Sequence, residues 1–265
     1  MTLALLPLLW LAQEPQNPSP MVEHTRAHPR IAEQTPPGRR EGNLFLPAKL
    51  KLRPQTPLLI FFHGGDWLPQ VAVARRSRMA VMTFPPSMKD PVKLMEAIAA
   101  AEATTHVKFA PLTLGGWSAG CGTIRDLLLK SQELFNRTHA LLLIDGIHTD
   151  YVNGKPGPAE SAINTDKLEN WVRFAKLAIT GQRRMIVTHS EIFPGTFAST
   201  TETADYLLSA LHLKRVPLLR WGPMRTQQLS EARAGGFRLI GYAGNSAPDH
   251  VDQLHSLADY LEWLK

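Results

Sequence analysis

The sequence predicts an α/β fold with a mostly parallel central sheet and helices on both faces. Apolar runs of strand length alternate with amphipathic segments of helix length along most of the chain, which is the pattern of strands joined by crossover helices. Several of the apolar runs are unbroken, as expected for strands that are covered on both faces. A chain of 265 residues with 44% hydrophobic and 20% charged content can bury one substantial core, so we expect one main domain.

The elements follow in a regular order. The stretch NLFLPAKLKL predicts an edge strand or hairpin, PLLIFFHGG a buried strand ended by glycines, and MAVMTF a further strand. Asp90 then matches a helix N-cap, with Pro91 at the first helical position. The remaining predicted elements alternate strand and helix: APLTLGGW, AGCGTIRDLLLKSQELF, HALLLIDG, TDKLENWVRFAKLAI, RRMIVTHS, TTETADYLLSALHL, FRLIGYAG and VDQLHSLADYLEWLK.

The N-terminal 42 residues differ in composition from the rest of the chain. Residues 1–20 contain an apolar run as long as a signal-peptide core and too short to span a bilayer. They therefore predict a signal peptide, and export to the periplasm or medium, or else an apolar N-terminal arm, in which case the protein is cytoplasmic. Residues 21–42 are rich in Pro, Gln, Glu and Arg, which favours a linker. The main domain is predicted over residues 43–265.

Composition excludes some classes of partner. The net charge is +6, but aromatic residues are not interleaved with the bases as a nucleic-acid surface requires, so no nucleic-acid binding is expected. Stable membrane insertion is not expected either. The single cysteine, Cys121, cannot form an intramolecular disulfide, and nothing near it in the sequence lowers a thiol pKa, so it is interpreted as a small buried side chain. No motif for a metal or a cofactor was found, and none is expected.

The sharpest motif surrounds Ser118. Gly116-Trp117-Ser118-Ala119-Gly120 is G-x-S-x-G placed between a predicted strand and a predicted helix. Such a turn strains the serine backbone and lifts Oγ above the sheet, with the helix N-terminus and the Ala119 N–H ready to stabilise an oxyanion. A phosphate loop would need a lysine before Ser or Thr, and a dinucleotide turn needs G-x-G-x-x-G, and neither is present. An inert glycine turn stays open as an alternative.

Another glycine loop, FFHGGDW, called here the first glycine loop, follows the early buried strand about fifty residues upstream of Ser118. Together with the strand–GxSxG–helix unit, a following acid and a late histidine, it resembles the α/β-hydrolase superfamily from about Asn43 to the end of the chain. The resemblance implies an α/β-hydrolase fold and a second oxyanion-hole N–H from Gly65 or Asp66. Asp66 departs from the lipase-type HGGG pattern. His63 is expected to prop this loop rather than act as a base.

The same resemblance implies the chain order serine, acid, histidine. His250 precedes a predicted helix on the loop after the last strand and is preferred as the base over His255, which falls inside that helix. Asp145 ends a wholly apolar strand, where a lone charge is costly unless it meets a partner such as an imidazole. It is placed first as the acid, before Glu191, whereas Asp249 better fits a helix cap.

Two further features are left open. His148, Asp150 and Tyr151 follow Asp145 and could line a pocket or bind a metal, although three groups so close in sequence rarely give ligand geometry. Residues 152–183 and 213–235 are interpreted as short cap elements over the site, with ordinary core packing as the equal alternative.

The function expected from the sequence is that of a cofactor-free serine hydrolase. It would act on a small-molecule or peptide acyl substrate through an acyl-enzyme, with Ser118, His250 and Asp145 as the triad and Ala119 and Gly65 as the oxyanion hole. A carboxylesterase is placed first, by analogy with the fold. A serine peptidase or an acyltransferase would use the same residues, and a catalytically idle binding module is the alternative from another class.

Overall fold

The computed structural model describes residues 27–264, apart from 77, 153 and 155–161. The signal peptide or apolar arm predicted at 1–20 lies outside the described residues, as does the beginning of the predicted linker. Within the described part of the chain, every helix is too short or too polar to cross a lipid bilayer.

Ten strands form one sheet. In chain order they are β1 (Gly38–Glu41), β2 (Leu44–Pro47), β3 (Gln55–Phe62), β4 (Ala80–Phe84), β5 (Lys108–Trp117), β6 (Thr138–Ile144), β7 (Arg184–His189), β8 (Val216–Trp221), β9 (Gln227–Ala234) and β10 (Phe237–Tyr242). Their order across the sheet is β1-β2-β4-β3-β5-β6-β7-β10-β9-β8. The six central strands from β4 to β10 pair in parallel, while both margins are antiparallel. The carboxyl ends of the central strands therefore meet at one edge of the sheet.

Eight α-helices cover the sheet. They are α1 (Trp67–Arg76), α2 (Pro91–Thr105), α3 (Ala119–Lys130), α4 (Gln132–Arg137), α5 (Glu169–Ile179), α6 (Thr200–Ala210), α7 (Ala247–His255) and α8 (Leu257–Trp263). Short 3-10 turns span Asp166–Leu168 and Pro223–Arg225.

The two faces of the sheet bury separate clusters of apolar side chains. Along β3, Leu58, Ile60 and Phe62 pack with residues of α2 to α6, whereas Leu59 and Phe61 pack with residues of α1, α7 and α8. This alternation is the two-residue period of a strand covered on both sides. The predicted α/β class, with a mostly parallel central sheet and helices on both faces, is confirmed.

Several element predictions need correction. The strand β1 lies inside the predicted 21–42 linker and pairs with β2 through a turn at Gly42, whose φ is +56°. The structure adds α1, which the sequence analysis missed because Pro69 and the period-two VAVA pattern obscure its helical spacing. The helix predicted from residue 119 is broken at Ser131, which caps α4 with its side chain.

The expected cap elements also differ. Residues 213–235 form the antiparallel pair β8–β9, which extends the sheet margin, because the alternation of half-buried and buried residues in β9 is that of a strand. In the described part of 152–183, α5 buries Trp171 and Phe174 in the core. That outcome matches the alternative of core packing.

Candidate active site

The serine of the glycine-rich turn has a strained backbone. Ser118 joins the end of β5 to the start of α3 with φ 52° and ψ −125°, a conformation that costs a non-glycine residue on the order of 1–3 kcal/mol. The flanking glycines are explained by close backbone approaches. A Cβ on Gly116 would lie 2.7 Å from the Gly120 carbonyl carbon, and one on Gly120 would lie 2.0 Å from the Phe62 oxygen. Side chains at either position would push the serine out of this turn.

Asp145 ends β6 beside this turn and is held by four donor groups. The His250 Nδ1 lies 2.7 Å from Asp145 Oδ2. The Ser190 backbone N–H and hydroxyl donate at 2.8 Å each, and the Thr200 hydroxyl donates to Oδ1 at 3.1 Å. Because a carboxylate offers about four lone-pair positions, this buried acid is fully satisfied.

These contacts determine the charge of Asp145 and the tautomer of His250. Burial acts to raise the pKa of Asp145, but the hydrogen bonds from His250 and Ser190 and the charge of His250 outweigh it and lower that pKa. The carboxylate is therefore ionised at neutral pH and can only accept. Consequently the His250 Nδ1 bears the ring proton, and Nε2 is left free to accept another.

One cavity of about 130 Å³ brings the three predicted residues together. Its lining residues are Ser118, Asp145, His148, Ser190, Ile192, Pro194, Phe197, Thr200 and His250. The cavity lies at the carboxyl edge of the central strands, where ligand sites of parallel sheets are found. A serine on a strained turn thus shares a small, largely apolar cavity with a histidine–carboxylate pair.

Three observations define the fold. They are the strand order, the strand–serine–helix turn, and the order serine, aspartate, histidine along the chain. The chain adopts an α/β-hydrolase fold. The fold that the sequence predicted is thereby confirmed.

Several solved structures are similar to this chain. The acetyl xylan esterase from Aspergillus awamori has a TM-score of 0.49 at 10% identity, over 83% of this chain and 92% of that one. A cold-adapted esterase from an Arctic intertidal metagenomic library has a TM-score of 0.45 at 16% identity, over 84% and 86%. An acylaminoacyl peptidase from Pyrococcus horikoshii has a TM-score of 0.45 at 12% identity, over 83% and 38%. No protein-family model and no curated protein matches the sequence.

The residues predicted as the alternative acid and base are engaged elsewhere. Glu191 accepts a hydrogen bond from the Gly244 N–H at 3.1 Å. His255 accepts one from the Ile31 N–H at 3.1 Å, on the far side of α7 from the cavity-lining His250. Asp249 forms a capping box with Ser246, as its position predicted. The structure therefore places Asp145, and not Glu191, against His250.

The position of His250 itself requires a correction. It lies within α7 rather than on the loop before a helix, because the capping box and Pro248 begin the helix at Ala247. The imidazole consequently projects from the first turns of a capped helix. The His250 backbone N–H donates to the Ser246 oxygen, and its backbone oxygen accepts from the Trp117 indole. These bonds hold the residue more firmly than a loop would.

The two predicted oxyanion-hole residues lie on adjoining segments. Ala119 is the first residue of α3, whose free N–H groups and dipole favour negative charge there. Gly65, with φ +78°, follows β3 on the other segment and lines a neighbouring cavity instead of the one that contains Ser118. The contact of Gly120 with the Phe62 oxygen brings the two segments together. The oxyanion-hole role of both residues stays a prediction.

His63 and Cys121 have supporting positions. The His63 ring stacks on Trp117, with centroids 5.0 Å apart, so it props the first glycine loop through its ring. Cys121 is buried, with Sγ 3.2 Å from the Gly116 oxygen. Burial raises the pKa of the Cys121 thiol well above its usual value, which agrees with an inert side chain.

The His148 to Tyr151 segment separates into different roles. His148 lines the cavity, and its ring lies 5.0 Å from that of Phe197. Asp150 pairs with Lys167, and the Tyr151 hydroxyl lies 2.9 Å from Glu202. Because the three side chains have separate partners, they do not form a common metal site.

One other group of metal-ligand type appears in the described chain, namely His28, Asp249 and Asp252. Arg30 Nε donates to Asp252 at 3.0 Å there and supplies the positive charge that a metal would bring.

Two hydroxyl donors to Asp145, Ser190 and Thr200, were not predicted from the sequence. Neither lies in a motif. Their positions just after β7 and at the start of α6 would have become informative only once the strand order was known.

Proposed function

We propose that this protein is a serine hydrolase that cleaves carboxylic esters through an acyl-enzyme. The observation that supports this most directly is the shared cavity, which is lined both by Ser118 on its strained turn and by the His250–Asp145 pair. Backbone strain of this size is typical of functional sites. A nearby histidine whose Nε2 can accept a proton is what a serine nucleophile requires.

The arrangement supports a two-step reaction. Ser118 Oγ attacks the ester carbonyl carbon while His250 Nε2 takes its proton, and the carbonyl oxygen becomes an oxyanion that the Ala119 N–H stabilises. When the carbon–oxygen bond to the leaving group breaks, His250 returns the proton to the departing alcohol. Water then attacks the acyl-serine with the same histidine as base, and the acid is released with Ser118 restored.

Esters are proposed ahead of amides because of the small, apolar cavity. Beyond the catalytic groups, the hydroxyls and His148, its walls are Ile192, Pro194 and Phe197, which suit a short acyl chain.

Covalent labelling tests the proposal. The full-length protein is treated with a fluorophosphonate probe, and the modified residue is located by peptide mass spectrometry. We expect one label, on Ser118, that is lost in Ser118→Ala and retained in Ser209→Ala, a serine on the exposed side of α6. In His250→Ala the labelling rate is expected to fall at least about 100-fold, the lower bound for loss of a general base.

Two labelling results would contradict the proposal. If the wild-type chain folds but takes up no label and hydrolyses no aryl ester, the hydrolase proposal fails and the idle binding module is favoured. Label on a residue other than Ser118 would overturn the assignment of the nucleophile.

A further inference from the structure

Trp117, the residue before the proposed nucleophile, contacts two histidines at once. Its ring centroid lies 4.5 Å from that of His250, with the planes 31° apart, and 5.0 Å from that of His63, with the planes 14° apart. The indole Nε1–H donates to the backbone oxygen of His250 at 3.0 Å. One half-buried side chain therefore joins the base, the first glycine loop and the serine turn.

The hydrogen bond and the ring contact act on different parts of His250. The first holds the backbone of α7 at the residue that bears the imidazole. The second places an aromatic face within the distance, about 6 Å, at which a cation is attracted to the ring quadrupole. That attraction strengthens when the neighbouring ring gains a positive charge.

We propose that Trp117 is a positioning residue that holds the His250 imidazole in place and stabilises its protonated form during the reaction. This inference rests on the proposed serine-hydrolase function. The charge arises when the proton of Ser118 Oγ–H moves to His250 Nε2, and it disappears when that proton passes to the leaving alcohol. The Trp117 contact is therefore strongest in the state that determines the rate.

The other titratable groups around His250 are Asp145, His63 and His148. Burial, and then the charge of His250, lowers the pKa of His63. Burial, and then the charge of Arg125, lowers the pKa of His148. Both neighbours are thus neutral near pH 7, and Asp145 and the Trp117 ring are the groups that stabilise a proton on His250.

Substitutions at Trp117 separate the two contacts. Trp117→Phe keeps an aromatic face and loses the indole N–H, whereas Trp117→Leu loses both. Trp263→Leu is the matched control, because Trp263 is also a half-buried tryptophan but packs on Arg238 and Tyr260. The imidazole of His250 is followed by NMR titration in the full-length chain, and the rate of fluorophosphonate labelling is measured in parallel.

In Trp117→Leu, the midpoint of the His250 titration is expected to move to lower pH by about 0.4 to 1.5 units, the range of a cation–π contact expressed as a proton affinity. Trp117→Phe should recover most of that shift, and Trp263→Leu should show none. The labelling rate of Trp117→Leu is expected to fall about tenfold at neutral pH. If Trp117→Leu does not fold, Trp117→Met, which also lacks a ring, replaces it in the same comparison.

The inference is overturned if the midpoint in the ringless variant stays within about 0.2 units of wild type, or if the Phe and ringless variants shift equally. The titration requires no turnover. Failure of the wild-type chain to label would therefore refute the proposed function, while the titration would still decide the contact between Trp117 and His250.

Discussion

The ionised state of Asp145 depends on a few hydrogen-bond donors. Its side chain is only 1% exposed, yet hydrogen bonds from His250, Ser190 and Thr200 make the ionised form the stable one. Removing the charge while keeping the shape would leave an amide that must donate where the site supplies donors. The carboxylate is thus required both to orient the imidazole and to satisfy its neighbours.

We expect Asp145→Asn to lower kcat/KM for a short aryl ester by about 1,000-fold or more, because the amide favours the wrong tautomer of His250. Glu191→Gln is the matched control, since an amide oxygen can still accept from the Gly244 N–H. Its kcat/KM should stay within about threefold of wild type, less than 1 kcal/mol. A large loss confined to Glu191→Gln would reverse the assignment of the acid.

Single site residues could be predicted from the sequence where burying the residue type costs free energy or where the motif spacing is rare. Ser118 was predicted from its turn, and Asp145 from the cost of a lone charge at the end of an apolar strand. Trp117, Ser190 and Thr200 could not be predicted, because their roles arise from contacts between segments far apart in the chain.

The segment between β7 and α6 is the element that forms the cavity wall. It contributes Ser190, Ile192, Pro194 and Phe197. Its volume of about 130 Å³ is somewhat less than the roughly 150 Å³ of a cavity that admits benzene. A chain of two to four carbons fits such a space, and a longer one extends beyond it, past the apolar wall.

We therefore expect p-nitrophenyl acetate and butyrate to be hydrolysed at least about tenfold faster than the octanoate, a difference of about 1.4 kcal/mol. Phe197→Ala removes six ring carbons from the wall and should raise the relative rate on the octanoate. Phe193→Ala is the control, because Phe193 is also exposed but is not among the residues that line the cavity. Equal effects of both variants, or a preference of the wild-type protein for the octanoate, would contradict this account.

Helices and strands were predicted correctly where a single hydrophobic period, that of a helix or that of a strand, dominated the segment. The buried parallel strands and the capped helix at Asp90 are of this kind. Prediction failed where two signals conflicted, as at Pro69 in α1, and where an antiparallel margin resembled an excursion, as in β8 and β9. Strand pairing is a long-range property, so the last two strands could not be placed from local pattern alone.

At the scale of the whole molecule, the first described residues bind the last part of the chain. His28 Nδ1 and Arg30 Nε contact the Asp252 carboxylate at 2.5 and 3.0 Å. Arg30 also donates to the Pro248 oxygen at 2.9 Å. Both acceptors lie on α7, the helix that bears His250. Part of a segment predicted as a linker is therefore an anchor of α7.

We expect Arg30→Ala to destabilise the protein by about 1–3 kcal/mol, the cost of leaving a buried carboxylate short of a charged partner. For a chain of this size that corresponds to a fall in Tm of roughly 2–10 °C, measurable by thermal unfolding. Arg39→Ala removes an exposed pair with Glu41 and should change Tm by about 2 °C or less. Equal effects of the two substitutions would argue against the anchor.

The anchor also limits how the chain can be processed. If residues 1–20 are a leader that is removed, cleavage must leave His28 and Arg30 in place for Asp252 to keep these two contacts. A cut beyond residue 30 would remove both contacts from the helix that bears His250, more than 200 residues away in sequence. Cleavage near one end of the chain and the support of His250 near the other are thus physically linked.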